Sequence, residues 1–293
     1  MNIRTIQLIL LSIFSIVIFG RCIGAQDPLT ERRVVPLPEQ TLNSKLLGRS
    51  VSYRILVPTS YGDRSTTRFP VIYLLHGLTG HYTNWTDKTK LVEYAKSHNF
   101  IIVMPEGADG WYTDSITVPN DKYESYIVKE LIPEIDKQFH TIADRAHRAI
   151  AGLSMGGYGS IKFGLKYPEL FSMVGSFSGA IDGPLRGQDH KNYRPSIMSV
   201  FGPDNSPIRK ENDVFTLVNK FPQERYKDLP FIYLSCGTED TINFQLNRDF
   251  AGLLVEKKIP HEYRELPGAH TWTFWDEQIQ EFLRLADKFI KPN

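Results

Sequence analysis

The string Gly152-Leu153-Ser154-Met155-Gly156 sets one serine between two glycines, directly after the apolar run Ala149-Ile150-Ala151. A short buried strand that turns sharply into a helix through G-x-S-x-G lifts the serine hydroxyl to the helix N-terminus. There the partial positive charge of the helix end favours a developing oxyanion. Gly152 and Gly156 lack the side chains that would collide across so tight a turn, and the serine backbone is expected to be strained. The chemistry this prepares is nucleophilic attack on an acyl carbon, and it needs a base to take the hydroxyl proton.

Base and acid are both found downstream. The apolar run Phe231-Ile232-Tyr233-Leu234-Ser235-Cys236 is followed by Gly237-Thr238-Glu239-Asp240, and the alternating run His261–Leu266 is followed by Pro267-Gly268-Ala269-His270. Each places its polar groups where a strand ends. Of the 8 histidines, His270 alone follows the last strand, whereas His261 begins that strand and should point away. His98, His140 and His147 flank helices or turns and are expected at the surface. Neighbouring side chains face different ways, so Asp240 or Glu239, not both, can hold the imidazole; Asp240 is favoured. The acid orients the imidazole and stabilises the imidazolium without accepting the proton itself.

An oxyanion needs two backbone N–H donors. One is assigned to Met155, the residue after the nucleophile, and the other to Leu78 in the loop Leu75-His76-Gly77-Leu78-Thr79-Gly80. No H-E-x-x-H or other ligand cluster accompanies His76, so it is read as a loop histidine held by hydrogen bonds, and no metal or cofactor is expected.

These loops require a sheet whose strands end at a common edge. Val51–Val57 alternates and reads as a strand exposed on one face. Val71–Leu75, Phe100–Met104, Ala149–Ala151, Met173–Phe177 and Phe231–Ser235 are continuous apolar runs, the mark of strands buried on both faces of a parallel sheet. Segments of helical spacing fall between and after them, at about 91–97, 125–139, 157–166, 244–257 and 275–290. This alternation predicts an α/β fold with a mostly parallel sheet flanked by helices. Between Ile181 and Asp228 the rhythm breaks into Pro-, Gly- and Asn-rich sequence, read as an insertion over the sheet's carboxyl edge that either caps the site or is a solvated excursion.

Five strings then occur in order: His76-Gly77-Leu78-Thr79, Gly110-Trp111-Tyr112-Thr113-Asp114-Ser115, Gly152–Gly157, Gly237-Thr238-Glu239-Asp240 and His270-Thr271-Trp272-Thr273-Phe274-Trp275. The set resembles the esterase family of α/β-hydrolases that includes feruloyl and acetyl-xylan esterases, tributyrin esterases, S-formylglutathione hydrolase and the mycolyltransferase antigens. The resemblance covers Val51 to the C-terminus. It implies an α/β-hydrolase fold, a triad of Ser154, Asp240 and His270, and oxyanion donors at Leu78 and Met155. Tyr112 and Asp114 follow a strand and are candidates for the substrate pocket, with a packed Asx-type turn as the alternative for this segment. Trp272 is a candidate pocket wall beside His270, and Trp275 is expected in the core. The implied reaction is hydrolysis of a carboxylic ester, with acyl groups on carbohydrate one substrate class. Acyl transfer with the same residues, thioester hydrolysis and a non-catalytic binding role are the rivals.

Composition bounds the partners. Lys+Arg total 34 against Asp+Glu 33, so nothing favours nucleic acid or an anionic membrane. Arg4, the apolar run Leu8–Phe19 and the small residues Gly24 and Ala25 have the order of a secretory signal, which makes 1–25 a leader and 26–293 the mature domain. An uncleaved membrane anchor is the alternative, although the run is short for a span of ~20 residues. Cleavage would remove Cys22 and leave Cys236, expected as an inert buried thiol, so no internal disulfide is available. Asn84-Trp85-Thr86 is a glycosylation sequon, relevant only in a host that glycosylates exported proteins.

Overall fold

The computed structural model describes residues 35–62 and 66–290. The proposed leader lies outside them. In chain order the strands are β1 (Val35–Pro36), β2 (Gln40–Ser44), β3 (Arg49–Val57), β4 (Val71–Leu75), β5 (Ile101–Pro105), β6 (Arg148–Leu153), β7 (Met173–Phe177), β8 (Phe231–Gly237) and β9 (His261–Leu266). The α-helices are α1 (Asn84–Lys88), α2 (Leu91–Ala95), α3 (Tyr123–Ser125), α4 (Ile132–Gln138), α5 (Met155–Lys166), α6 (Pro195–Phe201), α7 (Pro207–Glu211), α8 (Val214–Lys220), α9 (Phe244–Glu256) and α10 (Trp272–Phe289). No helix of the described residues is long and apolar enough to cross a membrane.

The strands form one nine-stranded sheet in the order β1-β3-β5-β4-β6-β7-β8-β9, with β2 paired to β3 outside that path. β3 runs antiparallel to β5, and β5, β4, β6, β7, β8 and β9 are mutually parallel. Apolar side chains on both faces of each central strand explain this arrangement. Val71, Tyr73 and Leu75 of β4 enter one core cluster, while Ile72 and Leu74 enter the other. The first cluster lies against α5, α8 and α9; the second is closed by α1, α2 and α10. Each of the central strands is hydrogen-bonded along both edges, which gives its buried backbone polar groups partners that water cannot supply there.

The order places a crevice. After β4 the chain moves to β5 on one side and then returns to β6 on the other. Loops leaving β4 and β6 therefore diverge at their carboxyl ends, the position at which open α/β sheets bind ligands. Leu78 follows β4 and Ser154 follows β6, so the strand order brings them face to face.

Three local features depart from the sequence reading. The segment before β3, which carries no strand signal in the sequence, contributes β1 and β2, both antiparallel to β3. The helix expected over 125–139 is broken by a π turn at Tyr126–Leu131, from which Glu130 accepts hydrogen bonds from the Lys45 and Leu46 N–H groups at 3.0 and 3.2 Å. The helix predicted from Trp275 begins three residues earlier, at Trp272. The insertion is not a bare excursion: it carries α6, α7 and α8, and buries Ile181, Ile197, Phe201, Val214 and Val218.

A buried ion pair ties α5 to the loop after β5. Lys162 is fully buried; its Nζ donates to the Tyr112 carbonyl and Thr113 Oγ1, each at 2.6 Å, and to Glu124 Oε2 at 2.8 Å. Glu124 also accepts from the Tyr167 hydroxyl at 2.7 Å and pairs with Lys166. Burial alone would raise the Glu124 carboxyl, but the two ammonium groups hold it down at about 2. Its folded value lies below the ordinary 4.5, so the stabilisation is complete above the ordinary value and is lost as pH falls through the folded one. Glu124→Gln leaves the Lys162 charge buried with only neutral partners, which is expected to cost about 3–5 kcal/mol at neutral pH. Denaturant melts at neutral pH and down the acid range should show that loss together with a shallower acid dependence than in the parent.

Candidate active site

The turn after β6 is as tight as its glycines imply. Ser154 has φ 52° and ψ −116°, a conformation that L residues rarely adopt. A Cβ on Gly152 would lie 2.6 Å from the Gly156 carbonyl carbon, and one on Gly156 would lie 2.6 Å from the Leu75 and His76 carbonyl oxygens. Side chains at these positions would push the turn off β4. The Ser154 N–H donates to the Phe177 carbonyl at 3.0 Å, while its own carbonyl accepts from the Tyr158 and Ala180 N–H groups, both at 3.0 Å.

Three loops meet here. His270 Nε2 lies 3.0 Å from Ser154 Oγ, and His270 Nδ1 lies 2.8 Å from Asp240 Oδ2. Asp240 is buried while Glu239 is exposed, so the neighbouring carboxylates do face different ways. The other Asp240 oxygen accepts from the Ile242 and Asn243 N–H groups at 3.2 and 3.1 Å. Burial would raise this carboxyl, but the hydrogen bond and charge of His270 and the Asn243 donors hold it below the usual carboxylate range. Asn243 was not singled out from the sequence. Its amide accepts from Arg186 Nη2 at 3.1 Å and approaches Asp240 Oδ2 at 3.4 Å, which fixes its orientation. No spacing or motif would have revealed it, because the contact is made across the insertion.

The acid and base loops are pinned to each other. Thr238 N–H donates to the Leu266 carbonyl at 2.8 Å and Glu239 N–H to the Gly268 carbonyl at 2.9 Å. Gly237 passes so close to Gly268 that a Cβ there would sit 2.1 Å from its carbonyl oxygen. Gly268 has φ 138°, which a side chain would resist.

Leu78 and Met155 both border the hollows beside Ser154. Neither N–H has a protein acceptor among the described residues, so both are available to an oxyanion. His76 is buried within the same loop: Nδ1 donates to the Gly77 carbonyl at 2.7 Å and Nε2 accepts from the Gly107 N–H at 2.9 Å. Nε2 also lies 3.3 Å from Glu106 Oε1, and together these contacts fix the ring as a brace of the loop.

A hollow of about 410 Å³ opens on one side of Ser154, bordered by Asn84, Lys88, Thr271, Trp272 and Trp275. Trp272 packs edge-on against Trp275 and Trp85, and Trp275 stands edge-on to the His270 ring at 4.8 Å. Trp275 is thus both core and wall. Asn84 is 8% exposed, and its Oδ1 accepts from the His81 N–H at 3.1 Å, so the sequon's asparagine is a wall of this hollow rather than a free surface residue. A second hollow of about 250 Å³ lies under the insertion, beside Trp111, Met155, Arg186, Arg194 and Ile242.

Two expected pocket residues lie elsewhere. Tyr112 is fully buried and donates its hydroxyl to the His76 carbonyl at 3.0 Å, because Trp111 and Tyr112 both take positive φ and turn the phenol inward. Asp114 accepts from Ser125 N–H and Oγ at 2.9 and 2.7 Å, so its carboxylate ties this loop to α3 rather than closing a local Asx-type turn. Trp111 lines the second hollow in their place, its Nε1 donating to Ser196 Oγ at 3.0 Å. Cys236 is buried, and burial together with the Asp240 charge pushes its thiol up to about 12, far from a reactive thiolate. His98 and His147 are half-buried and bonded to Asp287 and Asp144, each at 2.7 Å, more enclosed than a surface placement.

Comparison with known proteins gives the family and the fold. The Putative esterase family matches residues 44–285. The acetyl esterase of Caldicellulosiruptor saccharolyticus is 31% identical over 80% of this chain and 92% of its own length. A substrate-bound fluorophosphonate-binding serine hydrolase of Staphylococcus aureus superposes with a TM-score of 0.76 at 25% identity, covering 87% of this chain and 98% of that one. A ferulic acid esterase shares the fold with a TM-score of 0.76 at 24% identity, covering 88% and 99%. The chain belongs to the Putative esterase family of α/β-hydrolases and is an enzyme that hydrolyses carboxylic esters.

Proposed function

We propose that Ser154, His270 and Asp240 are the catalytic triad of a secreted serine esterase. The observation that carries this reading is the continuous hydrogen-bonded line from Ser154 Oγ through both His270 nitrogens to buried Asp240. Ser154 Oγ attacks the ester carbon as His270 Nε2 takes its proton. The carbonyl oxygen becomes an oxyanion facing the Leu78 and Met155 N–H groups, donors worth ~3–4 kcal/mol each in such sites. The tetrahedral species collapses, the C–O bond to the alcohol breaks, and His270 returns the proton to the departing oxygen. Water then repeats the sequence on the acyl-enzyme, releasing the acid and restoring Ser154. Throughout, Asp240 holds the Nδ1–H tautomer and offsets the imidazolium charge.

The aromatic wall of Trp272 and Trp275 with Asn84 and Lys88 beside it supports an alcohol such as a sugar, whose C–H faces lie on aromatic rings while its hydroxyls take polar partners. An acetyl- or feruloyl-type ester of carbohydrate is therefore the proposed substrate class. The order of residues in 1–25 supports export, with 26–293 as the mature esterase domain. Acyl transfer uses the same residues, and the open hollow beside His270 would admit an alcohol as readily as water.

Ser154→Ala is expected to retain the far-ultraviolet circular dichroism of the parent and to lose hydrolysis of 4-nitrophenyl acetate by at least ~1000-fold. Parental turnover in that variant would remove Ser154 from the mechanism. Products formed from the same ester with a sugar alcohol present should be free acid; accumulation of the acylated sugar instead would make the enzyme a transferase for that acceptor.

A further inference from the structure

Of the charged side chains that border the hollows beside Ser154, all are cations. The one under the insertion is bordered by Arg186 and Arg194 and by no Asp or Glu. On the other side of the Leu78–Thr79 turn, a third hollow is bordered by Glu106, Asp109 and Asp121. Ser154 does not border that third hollow; the two hollows that it does border hold Lys88 on one side and Arg186 and Arg194 on the other, with no Asp or Glu in either.

Arg186 is 5% exposed. Its Nε and Nη2 donate to Asp182 Oδ1 at 2.9 and 2.6 Å, and Nη2 also reaches Asn243 Oδ1. Nη1 has no acceptor among the described residues, although the side chain borders the hollow. Nη1 keeps contact with solvent through the hollow, so an oxyanion entering there would take the place of water on a donor that the protein leaves open. Arg194 is exposed at the mouth of the same hollow. Its Nη1 donates to the Tyr193 carbonyl at 2.9 Å, and no carboxylate of the described residues pairs with it. Asp182 balances Arg186, with His190 also 3.8 Å from that carboxylate, so Arg194 supplies the uncompensated positive charge. Guanidinium groups match carboxylates and other planar oxyanions through paired N–H donors.

We infer that the hollow under the insertion is an oxyanion subsite, and that the preferred ester carries a carboxylate or similar oxyanion held by Arg186 Nη1 and Arg194. The inference rests on Ser154 as nucleophile and adds the charge of the substrate. Asn243 joins the subsite to the triad, since the same amide contacts Arg186 and Asp240.

The carboxylate could belong to the acyl group or to the alcohol, and two substrate pairs separate these sources. On the acyl side, 4-nitrophenyl hemisuccinate is compared with 4-nitrophenyl pentanoate. On the alcohol side, the butyrate ester of 4-hydroxybenzoate is compared with that of 4-methylphenol. The readout is the anionic-to-neutral ratio of kcat/KM in the wild-type enzyme, Arg194→Ala and Arg194→Glu, so intrinsic differences in ester reactivity cancel. In one arm the ratio should fall about fivefold to tenfold in Arg194→Ala and further in Arg194→Glu. The wild-type ratio in that arm should also shrink with added salt. Circular dichroism spectra matching the parent show that the variants fold. Ratios that agree within about twofold across the three proteins in both arms overturn the subsite. Turnover of the neutral esters that still depends on Ser154 then leaves the triad standing. Turnover that survives Ser154→Ala removes both readings.

Discussion

Everything in the site hangs on one strained residue held where no relaxation is open to it. Ser154 sits at φ 52°, and it persists there because its surroundings over-determine it. Its N–H is taken by β7, its carbonyl is taken twice, and Gly152 and Gly156 let β4, β6 and α5 close to backbone contact around it. The strain is local, whereas the compensation is spread over the sheet. Because β4 and β6 are neighbours, the contact that fixes the serine also fixes the loop carrying Leu78. The proposed nucleophile and the candidate oxyanion donors are thus positioned by the same close approach.

The second constraint concerns the two later loops. A carboxylate and an imidazole contributed by different strands must meet within hydrogen-bond distance, and loops alone are too mobile to guarantee that. Here β8 and β9 are adjacent, and backbone bonds continue past their ends from Thr238 and Glu239 to Leu266 and Gly268. The pairing of the sheet is extended into the site, so Asp240 and His270 are held as rigidly as the strands beneath them. This also explains why Asp240, and not Glu239, faces inward: Glu239 spends its N–H on Gly268 and leaves its side chain on the solvent side.

Much of this was legible in the residues. Continuous apolar runs mark strands whose two faces both meet core, and β4 and β7 coincide with the runs at both ends. Ser154 and Asp240 were legible because each follows such a run, His270 because it follows the alternating run of the last strand, and the strand order brings the three together. What escaped was set by tertiary contact. β2 escaped because Gln40–Ser44 is polar and gains its place by pairing with β3. The helices of the insertion are seven residues or fewer and depend on packing, since isolated segments so short have little helical stability. Tyr112 was expected to face the pocket because it follows a strand, but Trp111 and Tyr112 are consecutive left-handed residues that turn the phenol inward, which no spacing in the sequence signals. Arg186 and Asn243 lie far apart in sequence, and neither residue type signals a partner by itself.

The inward turn of Tyr112 gives the buried Lys162–Glu124 pair a role that its energetics alone would not justify. A buried ion pair is weak evidence for stability, since well-packed apolar side chains of similar volume commonly do as well. What apolar side chains could not do is hold the Tyr112 carbonyl and Thr113 hydroxyl, each 2.6 Å from Lys162 Nζ. That grip secures a backbone turn in which two bulky aromatic residues both take positive φ. The turn in turn drives the Tyr112 hydroxyl onto the His76 carbonyl, one residue before Gly77 and two before Leu78. A charge buried under α5 is therefore connected, through one tyrosine, to the loop that presents the Leu78 N–H. Tyr112 acts on the site from behind, through the position it imposes on that loop.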